Sequence, residues 1–177
     1  MRRLAADLGV TTTTIYWHVG GREDLILAVI ERVSAEAASA EIGGTTPRER
    51  ARSVTRVVWE NAFAHRNVTA LAHQVGATSL LGLPMEVALA AELEAGGLRG
   101  SELRDALRSI LMCVAGFLVV ALRRTAAGSA ERESTVLWAD VPAEVSPETR
   151  AALCEPADVG ALFEVTVAAV IDSVVPA

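Results

Sequence analysis

The sequence predicts an all-α fold, and three observations carry that prediction. Apolar residues recur three and four positions apart along most of the chain, which is the spacing of one helix face. Ala, Leu, Val, Arg and Glu dominate while only 6 prolines interrupt, a composition that favours helix. Start and stop residues then fall where helices need them, with Thr46-Pro47-Arg48-Glu49 the clearest start and paired glycines the clearest stops. A 177-residue chain that is 51% hydrophobic and 21% charged has the aliphatic material for a core. Its length allows one domain or a small one joined to a larger one.

Leu4, Ala5 and Leu8 share a face in a short first helix that stops at Gly9, after which Val10 turns back toward the core. Thr11 then caps a second short helix with Ile15 and Val19 inward. Gly20-Gly21 breaks the chain, and a longer helix runs from Arg22 to about Glu41 with Leu25, Ile26, Ala28, Val29 and Val33 inward. Gly43-Gly44 closes that unit. The Thr46 to Glu49 capping box opens a helix that reaches about His65, followed by a shorter apolar segment over 68–77. Pro84 is expected to open the next helix, closed by Gly96-Gly97, and Ser101 to cap a long one reaching about Thr125. Residues 127–147 have the composition of the least ordered connection. Ser146-Pro147 starts a further helix, and 158–175 forms the last; its β-branched content resembles strand, but its length favours helix.

A net charge of −6 and a pI near 5.1 exclude a protein coated in positive charge for non-specific nucleic-acid binding. The distribution is uneven: residues 1–22 hold three arginines against Asp7, a net +2, leaving −8 for the remainder. Every basic residue is arginine, which base composition alone can produce. Cys113 and Cys154 lie far apart without metal-ligand spacing, so the chain reads as a reduced, cytoplasmic protein with no metal site and no cofactor. No signal peptide follows the N-terminal charges. The longest apolar run, from Ile110 to Leu122, is shorter than the roughly 20 residues a membrane span needs, so no membrane partner is expected.

A short helix, a glycine turn and a second short helix with polar and aromatic residues outward form the helix-turn-helix pattern, whose second helix enters the DNA major groove. That pattern explains the run TTTTIYWHV, residues 11–19, in which four β-branched threonines are poor helix formers. Hydroxyls at a helix N-terminus reach phosphates and base edges, and the positive end of the helix dipole attracts phosphate. Tyr16 and His18 reach phosphate oxygens, and Arg2 and Arg22 flank the element as charges. A Tyr-Trp pair on a short helix is more often core, but Ile15 and Val19 already claim the inward face.

The stretches RRLAADLGV, TTTTIYWHV and GGREDLILAV, residues 2–29, resemble the TetR-type (tetracycline-repressor-like) transcriptional regulators, and the Tyr16-Trp17-His18-Val19 end resembles the tetracycline-repressor branch. Further on the likeness is one of helix pattern and of short stretches such as GLRGSELRDALRSILMCVAGFLVVAL. The resemblance implies a helix-turn-helix DNA-binding domain with the start of the connecting helix over 1–33 and a helical ligand-binding and dimerisation domain over 34–177. It also implies DNA contacts from Arg2, Thr12, Thr13, Thr14, Tyr16, Trp17, His18 and Arg22. The family carries an additional helix before this stretch, for which Met1 leaves no room. The expectation is a chain that starts downstream of its true beginning; the alternative is a regulator whose DNA-binding domain is damaged.

For a ligand pocket the sequence offers Trp59, Phe63, Met85, Met112 and Phe117, which line a cavity or simply fill the core, and His65 and His73, which face a cavity or the surface. No GxSxG, P-loop, GxGxxG or HExxH motif occurs, so catalysis has little support. The long helix is apolar all round, and a symmetric partner would cover the face left over, through 101–125 and 158–175. The expected function is a homodimeric repressor of a palindromic operator in double-stranded DNA, released by a small apolar effector that binds between helices of 47–125 and shifts the connecting helix. A dimeric small-molecule- or partner-binding helical protein with a non-functional DNA-binding end is the rival reading.

Overall fold

A computed structural model of the chain describes residues 1–127 and 145–176, with backbone alone for 124–127, and among the described residues every regular element is a helix. The expectation for 127–147 lies largely outside the described residues. In chain order the helices are α1 Arg2–Asp7, α2 Thr12–Val19, α3 Arg22–Ala38, α4 Pro47–Ala64, α5 Arg66–Gln74, α6 Thr78–Ala95, α7 Gly100–Ala127, α8 Pro147–Leu153 and α9 Val159–Val174.

Local chemistry sets most boundaries. Thr46 Oγ1 accepts from the Glu49 amide at 3.2 Å while Glu49 Oε2 accepts from the Thr46 and Thr45 amides, a reciprocal cap that satisfies free donors at the start of α4. Ser146 and Asp158 cap α8 and α9 with 3.1 Å bonds from the Thr149 and Ala161 amides. Gly9 takes the left-handed conformation expected of a helix stop, with φ +66°.

α4, α6, α7 and α9 enclose the core, centred on Val54, Leu89, Leu93, Ile110, Phe163 and Ile171, none more than 1% exposed. Burial of side chains this large contributes roughly 1.5 to 3 kcal/mol each. Trp59 stacks on Phe163 at 4.3 Å between centroids, and Phe117 meets Phe163 edge-on at 5.8 Å, so aromatics from α4, α7 and α9 lock together. Arginines one turn apart on α4 hold α9: Arg48 donates to the Val175 carbonyl, Arg52 pairs with Asp172 and Arg56 with Glu164.

Three expectations change. Pro84 does not open a helix; it sits inside α6. Proline has no N–H to give to the carbonyl four residues back, Leu80, and the buried Ser34 hydroxyl of α3 donates to that carbonyl at 3.1 Å. The inward face of α3 is also shifted, with Ile30, Val33, Ser34 and Ala37 buried while Ala28 and Val29 are exposed, and the helix ends at Ala38. Val10 and Leu8, expected inward, are 40% and 62% exposed, since so short a helix as α1 covers little of its neighbour α2.

Candidate nucleic-acid interface and ligand cavity

α2 is held by its own ends. Thr11 Oγ1 accepts from the Thr14 amide at 3.1 Å and pairs with the Thr14 hydroxyl at 2.9 Å. Ile15 is buried and Val19 half-buried, which turns the opposite face outward. Thr13, Tyr16, Trp17 and His18 are exposed there, Trp17 at 87%. Thr12 is half-buried and the Thr14 hydroxyl is occupied by Thr11, so these two stand apart from the freely presented side chains. Arg2 and Arg22 are exposed on α1 and at the first position of α3.

The joint from α2 to α3 is built for glycine. Gly20 has φ +74°, and a Cβ there would lie 2.5 Å from Asp24 Oδ2, the oxygen that accepts the Gly21 amide at 2.6 Å. This fixes the angle between the outward helix and α3, which then packs on α6 with the Ser34 to Leu80 bond.

Two adjoining cavities, about 120 and 190 Å³, lie between α3, α4, α5, α6 and α7. They share Val58, Thr78, Gly82, Met85 and Leu118; the first extends to Ala37 of α3, Asn61 and Thr69, the second to Val54, Glu86, Leu89, Leu111 and Val114. An apolar cavity of roughly 150 Å³ takes one benzene ring, so each accepts a fragment of about that size.

Of the residues named for a pocket, Met85 lines both cavities. Trp59, Phe63 and Phe117 are not among the residues lining these two; Trp59 and Phe117 pack on Phe163, and Phe63 packs on Trp59 at 4.6 Å. His65 Nε2 lies 3.1 Å from Glu36 Oε2, and His73 is exposed. Met112 is 75% exposed on the outer side of α7, away from the cavity wall formed by Leu111 and Val114. Heptad-like spacing cannot tell an inward methionine from an outward one on a helix that is apolar on both faces. Glu86 escaped notice although it is the sole charged residue between Leu80 and Ala91, a signal the sequence does carry.

Met112, Val119 and Val120 of α7 and Leu162 and Val165 of α9 leave apolar side chains 48 to 75% exposed. Within Gly100–Arg123 an 18-residue window of mean hydropathy 2.0 is long and apolar enough for a membrane span, but the helix also carries Ala106, Ile110 and Val114 into the core. Burial pushes the Cys113 thiol above its ordinary pKa, which disfavours a reactive thiolate. Among the described residues no cluster of His, Cys, Asp or Glu is arranged to hold a metal ion.

No family model and no curated protein matches the chain. Solved structures do. The transcriptional regulator SCO7222, a TetR from Streptomyces coelicolor, superposes with a TM-score of 0.77 at 22% identity over 98% of this chain and 86% of its own. ActR, a TetR family protein of Streptomyces coelicolor solved in complex with actinorhodin, gives 0.69 at 22% identity over 98% and 85%. The chain therefore has the all-α TetR-type fold.

Proposed function

We propose that the chain is a ligand-responsive, sequence-specific DNA-binding transcriptional regulator: a cytoplasmic homodimeric repressor that leaves a palindromic operator when a small molecule with an apolar body enters the cavities. The observation that carries this reading is the face of α2. Tyr16, Trp17 and His18 stand in solvent on a helix whose apolar side is already seated, at the more positive end of an acidic chain. Trp17 is 87% exposed, and its amphipathic ring is the kind of side chain that packs on a partner surface. The likeness to TetR-type regulators, one of them solved with a small molecule, supports both DNA and ligand as partners.

The uncovered apolar faces of α7 and α9 favour a partner copy through 101–125 and 158–175. Two copies of α2 then sit about one DNA turn, roughly 34 Å, apart. A ligand between α4, α6 and α7 presses on the wall formed by Thr78, Leu81 and Gly82, and the Ser34 to Leu80 bond passes that displacement to α3, whose first turn carries the α2 joint. A coupling of about 1 to 3 kcal/mol between the two sites is enough to change occupancy measurably.

Tyr16→Ala and Arg22→Ala are expected to weaken operator binding by roughly tenfold each while leaving the dimer intact, and Arg22→Ala to lower the salt slope by about one. The measurement is a salt-titrated gel shift on DNA selected from random sequence. Equal binding by parent and variants would sink this reading. The rival, a dimeric ligand- or partner-binding helical protein without DNA function, draws on the exposure of Leu8 and Val10 beside α2, and it predicts that no sequence is selected at all.

A further inference from the structure

We infer that the ligand of the paired cavities is a cationic amphiphile, an apolar body of one or two rings bearing an ammonium group that pairs with Glu86. This rests on the reading of the cavities as the ligand site and adds the charge of what they take.

The walls are aliphatic apart from a few groups, and these differ in what they have left to give. The Thr55 hydroxyl donates to the Arg52 carbonyl and the Thr69 hydroxyl to the Ala62 and His65 carbonyls. The Asn61 amide has no hydrogen bond among the described residues, but an amide offers both donor and acceptor and so selects no charge. Glu86 is different. Its carboxylate is half-buried, lines the larger cavity, and lies over Gly82, with Oε1 3.4 Å from where a Gly82 Cβ would stand. Gly82 belongs to both cavities, so that oxygen lies in the larger cavity beside a residue the two share.

The other carboxylates of α6 are paired, Glu92 with Arg50 and Glu94 with Arg99, while Glu86 has neither an ion pair nor a hydrogen bond among the described residues. A carboxylate is acceptor-only, and the aliphatic wall around this one offers it no donor. An ammonium supplies charge-assisted hydrogen bonds there, whereas a ligand carboxylate would be repelled. The absent side chain at position 82 leaves room for the pair to form.

The test uses three probes with one apolar body, 4-phenylbutylamine, 4-phenylbutan-1-ol and 4-phenylbutyrate, titrated calorimetrically into the full-length chain at pH 7. The amine is expected to bind about tenfold more tightly than the alcohol, and the carboxylate most weakly. Glu86→Gln should bring the amine down to the level of the alcohol and leave the alcohol within about twofold. Gly82→Leu, which fills the shared space with a good helix former, should abolish binding of all three. Equal binding of amine and alcohol to the parent, or loss of both on Glu86→Gln, overturns the charge assignment while Gly82→Leu still upholds the cavity. Binding that survives Gly82→Leu, or no binding of any probe, overturns the cavity reading and the assignment with it.

Discussion

The two ends of the fold are built on opposite terms. In residues 1–29 only Ala5 and Ile15 are buried, and Leu8, Val10, Leu27 and Val29 are 38 to 62% exposed. In the body, α4, α6, α7 and α9 share one continuous core in which Leu89, Leu93, Ile110, Phe163 and Ile171 are sealed from solvent. The body has the apolar contacts that make a cooperative unit, whereas α1 and α2 expose Tyr16, Trp17 and His18 and have little core of their own. α3 touches both, meeting α2 and α6, with Ile30, Val33, Ser34 and Ala37 as its buried face and Ser34 bonded to Leu80 of α6. On the proposed reading, a ligand that moves α6 would reach the weakly packed end through α3.

Matched truncations measure that contrast most strongly. Leu89→Ala opens a cavity where four helices meet and is expected to cost about 2 to 5 kcal/mol in a single unfolding transition. Ile15→Ala removes a buried side chain from α2, yet its effect on that main transition should be well under half as large, because α2 opens locally before the body unfolds. Its penalty should appear instead as faster amide exchange in α1 and α2 and as lost DNA affinity. Denaturant midpoints read beside hydrogen exchange check both, and a global loss for Ile15→Ala equal to that for Leu89→Ala would erase the distinction between the two ends.

The link between them is smaller in energy. Ser34→Ala strips the donor from the Leu80 carbonyl, which Pro84 cannot serve, and leaving that half-buried group unpaired costs about 1 kcal/mol. Pro84→Ala restores an N–H four residues on, so the double variant should be more stable than the sum of the two single effects predicts. A double-mutant cycle from urea titrations gives the coupling directly. Strict additivity would mean that the serine and the proline do not share that carbonyl.

The same pair shows why parts of the fold were legible in the sequence and parts were not. The Thr46 to Glu49 box, the Thr11 cap and the stops at Gly9 and Gly20 are local chemistry, complete within a few residues, and each can be read where it stands. Pro84 is misread for the same reason. As a local signal it starts a helix, and what lets it sit inside one is a hydroxyl 46 residues before the Leu80 carbonyl that it leaves free. The Trp59, Phe63, Phe117 and Phe163 cluster is assembled from three helices, so residues that looked equally suited to a pocket became packing. Met112 turned outward because periodicity on a helix apolar all round carries no direction. The outward face of α2 was legible because two apolar residues four apart, Ile15 and Val19, fixed the inward side.

The smallest effect expected belongs to the best-capped helix of the body. Bonds from the Thr45 amide and hydroxyl and the Thr46 amide hold the Glu49 carboxyl well below its usual 4.5, at about 2. Because the folded value is the lower one, the cap's contribution is fully present above the unfolded pKa and is lost as pH falls from about 4.5 through about 2. Glu49 is fully exposed, so solvent screening keeps the magnitude small. Urea midpoints of the parent and Glu49→Gln should therefore differ at pH 6 and converge toward pH 2. A constant difference across that range would mean the charged form of Glu49 gains nothing from its bonds, and the start of α4 would then depend on Pro47 and the Thr46 hydroxyl alone.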